Sequence, residues 1–152
     1  MAAPFDDPTP PAPDGRGEEA RLRFSAVWEA AETPVADFRH AARALLALAG
    51  HPPEHRVSQD AQLVVTELVT NAYRHAPGPG GLLLELSPEG SLLSITVRDG
   101  SPRPPVLREE DARRAGGHGL RLVGLLCEQL AHQGVETGKE VVARLRLRQS
   151  AG

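Results

Sequence analysis

Cysteine is almost missing from this 152-residue chain; Cys127 is the only one. No intramolecular disulfide can form, which suits a reducing compartment. Aromatic residues are scarce at 3%, with one Trp and one Tyr, so a core must be built from Leu, Val and Ala. Long hydrophobic runs are absent. Those over Ala44–Ala49 and Leu82–Leu84 fall far short of the ~20 apolar residues of a membrane helix. The first residues carry neither the basic nor the apolar segment of a secretory signal. A surplus of positive charge is also lacking: the net charge is −3 and the pI about 6.1. That excludes a strongly basic nucleic-acid surface. The expectation is a soluble, cytoplasmic chain with no membrane and no nucleic-acid partner, long enough for one domain.

What is present is unevenly distributed. Residues 1–19 hold five of the 14 prolines, no Leu, Ile or Val, and one arginine against five acids. Such a segment cannot bury enough apolar surface to offset its ordering entropy. It reads as a disordered acidic tail, and the remainder is close to neutral. The folded unit is expected over 20–148, with a short tail at 149–152.

Within that unit, Leu22, Phe24, Ala26 and Trp28 alternate as in a half-buried strand. Thr33-Pro34 reads as an N-cap and first-turn proline. Val35, Phe38, Ala42, Leu45 and Ala49 follow at helical spacing, stopped by Gly50 and Pro52-Pro53. Ser58 is the next N-cap candidate. Ala61, Val64, Val65, Leu68, Val69, Ala72 and Ala76 form a second apolar stripe, ended by Pro77-Gly78. Residues 81–87 and 91–98 read as strands joined by Ser-Pro-Glu-Gly. The stretch from Gly100 to Gly116, with three prolines, is a long irregular loop. Leu120, Val123, Leu126 and Leu130 mark a third helix, and Gly134–Gly138 a turn. Val141, Ala143, Leu145 and Leu147 alternate with arginines in a final strand with one wet face. The predicted fold is an α/β two-layer sandwich: a mixed, mainly antiparallel sheet with helices on one face.

Three motifs fail on inspection. His51-Pro-Pro-Glu54-His55 imitates a metalloprotease string, but two prolines forbid the helix that would align its ligands. The run Gly134 to Lys139 imitates a phosphate-binding loop, but is one residue short and lacks the following Ser or Thr. Cys127 beside an apolar stripe reads as an inert buried thiol.

Four features survive, in order. Glu67, Asn71, Arg74 and His75 share one polar stripe of the second helix, at 100° per residue. An asparagine in mid-helix costs propensity and suits a ligand or metal contact. Asp99-Gly100-Ser101-Pro102 follows a strand; it makes an ordinary turn, or offers a carboxylate to the amino group of a flat heterocycle. Gly116-Gly117-His118-Gly119-Leu120 opens a helix, where glycines and free N–H groups suit a phosphate. Gly138-Lys139 enters the last strand.

The set resembles the Bergerat-fold ATPases, the superfamily of gyrase, Hsp90, histidine kinases and MutL. Glu67 to Asn71 resembles its N box, and Asp99-Gly100-Ser101 its G1 box. Gly117-His118-Gly119-Leu120 resembles the G2 box, with 100–116 as the lid. Gly138-Lys139 stands at the G3 position. Within that superfamily, Glu-Leu-Val-Thr-Asn-Ala, the following Arg-His-Ala, and Arg-Asp-Gly-Ser-Pro resemble the stand-alone anti-sigma-factor serine kinases and related regulators of actinomycetes. Brevity also separates the chain from the larger ATPases, and His40 lacks the context of a histidine-kinase phosphoacceptor.

The resemblance implies a nucleotide site for ATP with Mg²⁺. Asn71 would hold the metal, and Glu67 would act as general base. Asp99, with Ser101 beside it, would take the adenine amino group. Gly117, His118, Gly119 and Leu120 would line the phosphates. Arg74 and His75 would reach the phosphate side or serve structurally. The implied partners are a sigma factor, an antagonist (anti-anti-sigma) protein phosphorylated on serine, and a second copy in a homodimer. Ser101, His118 and Lys139 depart from the commoner Gly, Arg and Thr of those boxes. Two other readings therefore stay open: an ATP-sensing module without turnover, and a degenerate scaffold that binds no nucleotide.

Overall fold

In the computed structural model, residues 22–101, 119–136 and 138–147 are described. The elements run β1 (Arg23–Trp28), α1 (Val35–Leu48), α2 (Arg56–His75), β2 (Gly80–Leu86), β3 (Leu92–Asp99), α3 (Gly119–Leu126), β4 (Gln129–Val135) and β5 (Gly138–Arg146). The strands form one sheet in the order β1-β2-β3-β5-β4. Every pairing among them is antiparallel, in keeping with the mainly antiparallel sheet that the sequence predicts, with no parallel pair among the described strands.

Alternation along the strands sets the layers. Leu82, Val97 and Val141 stand opposite one another across β2, β3 and β5; so do Leu84, Ile95 and Ala143, and Leu86, Leu93 and Leu145. All nine are buried. They form three apolar rows on the helix-facing side, with Val64, Val65, Leu68 and Val69 of α2 in the same core. Helix α2 packs on β3 and β5, between α1 and α3. Each large aliphatic side chain in these rows contributes ~1.5–3 kcal/mol by leaving water. The opposite face carries charged pairs: Arg98 meets Glu140 directly across β3 and β5, and Arg23 approaches Glu85 across β1 and β2.

Helix boundaries differ from the sequence-based expectation in small ways. Pro34, with extended ψ of 136°, holds the N-cap position of α1; Thr33 instead offers its carbonyl to the Tyr73 hydroxyl at 2.8 Å. At the other end, Gly50 N–H bonds Ala47 O and His51 N–H bonds Leu46 O, with Gly50 at φ 93°. This 5→2 and 6→1 pairing needs a left-handed residue, which glycine supplies. Helix α2 begins at Arg56 behind His55. Ser58 lies inside its first turn, fully buried, and accepts from Gln62 Nε2 at 3.2 Å.

The third helix ends at Leu126, and Leu130 belongs to β4. The turn expected over 134–138 is tighter, because Val135 pairs with Gly138 and Gly134 with Lys139. The acidic tail 1–19, the loop residues 102–116 and the tail 149–152 lie outside the described residues. Among the described residues no helix is long and apolar enough to cross a membrane.

Candidate functional site

The apolar rows of the sheet do not continue to its end. One step beyond Val97 and Val141, the same inward-facing phase brings Asp99 opposite Lys139. The full row reads Trp28, Gly80, Asp99, Lys139, Gly134 across β1, β2, β3, β5 and β4. Asp99 is 4% exposed and Lys139 3%. Lys139 Nζ donates to Asp99 Oδ1 at 3.0 Å and to Oδ2 at 2.9 Å. The backbone N–H of Ser101 adds a bond to Oδ1 at 2.8 Å, closing an Asx turn around Gly100. A charge pair this deep persists only with such geometry, because desolvation of both ions must be offset.

Gly138 makes the approach possible. A Cβ there would collide with the Asp99 carbonyl oxygen and lie 2.8 Å from Gly100 Cα. The absence of a side chain lets β5 start against the end of β3, which seats Lys139 under Asp99.

Trp28 at the far end of the row is buried and lies against Gly80. Its indole meets Tyr73 edge-on at 5.2 Å and Phe38 at 5.4 Å. The Tyr73 hydroxyl ties the last turns of α2 to Thr33. The C-terminal half of α2 is thus fixed relative to the row that contains Asp99.

That half carries the polar stripe. Glu67 and Asn71, one turn apart, are half-buried; Arg74 and His75 are exposed. Burial pushes the Glu67 carboxyl above its ordinary value, and the Arg74 guanidinium partly opposes this. A carboxylate so placed is a better proton acceptor near neutral pH than one in water.

Gly119 and Leu120 open α3, which packs against α2. Gly117 and His118 lie outside the described residues. Cys127, just after α3, is half-buried, and burial with the nearby Asp60 pushes its thiol up to about 11. His51 and Glu54 lie in the connection between α1 and α2, with His55 as the N-cap of α2.

The structure brings Asp99 and Ser101 together with Lys139, a partnership that the sequence motifs do not reveal. The signal is available in part: Lys139 and Asp99 sit in phase with the buried residues of their own strands.

The model of the histidine kinase-like ATPase domain matches residues 28–145. No curated protein matches. Among solved structures, the histidine kinase domain from the Erythrobacter litoralis EL346 blue-light activated histidine kinase is similar. It shares 21% identity over 74% of this chain, with a TM-score of 0.47. The match spans 59% of that structure's chain.

Proposed function

This chain belongs to the histidine kinase-like ATPase domain family, and from that premise we propose that it binds ATP between α2, the end of β3 and the start of α3. The buried Asp99 carboxylate at the strand end carries the reading. Among the described residues its Oδ2 accepts from Lys139 alone, so a ligand that brings its own N–H can still be taken there, and the adenine amino group brings one.

The finer proposal is a regulatory serine kinase and anti-sigma factor that phosphorylates an antagonist protein. Glu67 takes the proton from the attacking serine hydroxyl, its basicity raised by burial. The N–H groups at the start of α3, those of Gly119 and Leu120 among them, face the phosphates. The amide oxygen of Asn71 is a hard neutral donor suited to Mg²⁺. Among the described residues no group of three or more His, Cys, Asp or Glu could hold a metal, so Mg²⁺ here would lean on the nucleotide's own oxygens. When bound, it neutralises charge on the transferring phosphoryl group. The proposed partners are a sigma factor, the antagonist and a second copy of this chain.

A second reading, a scaffold that binds no nucleotide, is favoured by one observation: Lys139 already engages both oxygens of Asp99. Calorimetry with ATP and Mg²⁺ separates the two. Heat of binding that vanishes in Asp99→Asn supports the nucleotide site; no heat with the wild type supports the scaffold. For the kinase, labelled ATP with a candidate antagonist must yield phosphoserine, and Glu67→Gln must not.

A further inference from the structure

The Asp99–Lys139 pair has hydrogen-bonding capacity left over, and its position at the base end of the site makes that capacity chemically specific. Any base specificity assigned to the pair rests on the ATP-binding reading of this site. A carboxylate has about four acceptor positions, and an ammonium three donors. Oδ1 accepts from Lys139 Nζ and from Ser101 N–H; among the described residues Oδ2 accepts from Lys139 alone. One acceptor position thus stays open on Oδ2. Lys139 spends two of its three N–H bonds on Asp99, and among the described residues none accepts the third. The Lys139 side chain is 3% exposed, so water is a poor substitute. A buried donor without an acceptor is costly, which points to a ligand atom.

An open acceptor beside an open donor is a pattern with few complements. A 6-aminopurine presents an exocyclic N–H next to the ring acceptor N1. Guanine presents the reverse order, the exocyclic acceptor O6 next to the ring donor N1–H, so the two purines differ in which atom meets the ammonium and which the carboxylate.

We propose that Lys139 is a specificity-determining residue for the adenine base: its third N–H donates to N1 while Asp99 Oδ2 accepts from the 6-amino group. The pair thus reads both atoms of the base edge. This accounts for a charge pair in a row whose three neighbours are apolar. A purely structural role is served as well by apolar residues of similar size.

The test is a calorimetric titration of the full chain, with Mg²⁺, against ATP, 1-deaza-ATP and purine riboside triphosphate. The second ligand lacks the N1 acceptor; the third lacks the 6-amino group. Wild type is expected to bind ATP at least about tenfold tighter than 1-deaza-ATP, the worth of one charged hydrogen bond. Lys139→Met is expected to bind those two alike while still preferring ATP to purine riboside triphosphate. Equal wild-type affinity for ATP and 1-deaza-ATP overturns the proposal, as does a tenfold gap that survives in Lys139→Met. The wild-type comparison requires no substitution, so it stands even where the variant fails to fold. A chain that binds no ATP defeats the parent reading as well; ATP binding indifferent to N1 defeats only this one.

Discussion

Lys139 and Asp99 face each other across the β3–β5 ladder, with the ammonium 2.9 Å from one carboxylate oxygen and both side chains sealed from solvent. Removing either partner strands a charge in the interior. Lys139→Met or Asp99→Asn alone should each cost about 3–5 kcal/mol, read as a lower midpoint in urea. The double variant, which removes both charges, should recover most of the loss. A double variant no better than the sum of its parents would show that the pair is not coupled.

Glu67 links stability to chemistry. Burial favours its protonated form, so the folded chain keeps this proton to higher pH than the unfolded chain does. The stability from this group is therefore full below the ordinary value near 4.5. It is lost as pH rises through the raised folded value. Glu67→Gln should be slightly more stable than wild type at pH 7, and the gain should shrink at pH 4. The effect is small, because the side chain is only half-buried and solvent screens it. The same substitution should lower phosphoryl transfer by roughly 10²–10⁴-fold while ATP still binds. Denaturant titrations at the two pH values and a single-turnover assay check both halves.

Cys127 should behave as a protected thiol. Its shift from an ordinary 9.0 to about 11 cuts the thiolate fraction at neutral pH by about a hundredfold. Alkylation by iodoacetamide at pH 7.5 should be slower by that order than in the urea-unfolded chain, and should rise steeply only above pH 10. Equal rates in folded and unfolded protein would contradict the burial.

The elements that could be read from the sequence are those whose periodicity is strong. The stripe Ala61–Ala72 and the alternation of Val141–Leu147 locate α2 and β5, because burial enforces the spacing. Strand β4, Gln-Leu-Ala-His-Gln-Gly-Val, offers neither alternation nor β-branched residues until Val135. Only its pairing with β5 makes it a strand. Leu130 therefore resembles the last apolar position of a helix.

The site divides in the same way. Glu67, Asn71 and Asp99 stand out because their motifs are contiguous in sequence. The partnership of Asp99 with Lys139 depends on a register set 40 residues apart, which no local pattern specifies. Gly138 has the sequence context of a turn residue; its part in the contact is visible only against the Asp99 carbonyl.

Trp28 is the chain's single tryptophan, and it ends the row that passes through Gly80 to Asp99. Two strand spacings separate it from the carboxylate, about 10 Å. Its indole is sheltered by Phe38 and Tyr73, so one homogeneous emission band is expected. The molecule thus carries its own optical gauge of the Asp99 end of the sheet, readable without a label and without competition from a second fluorophore of its kind.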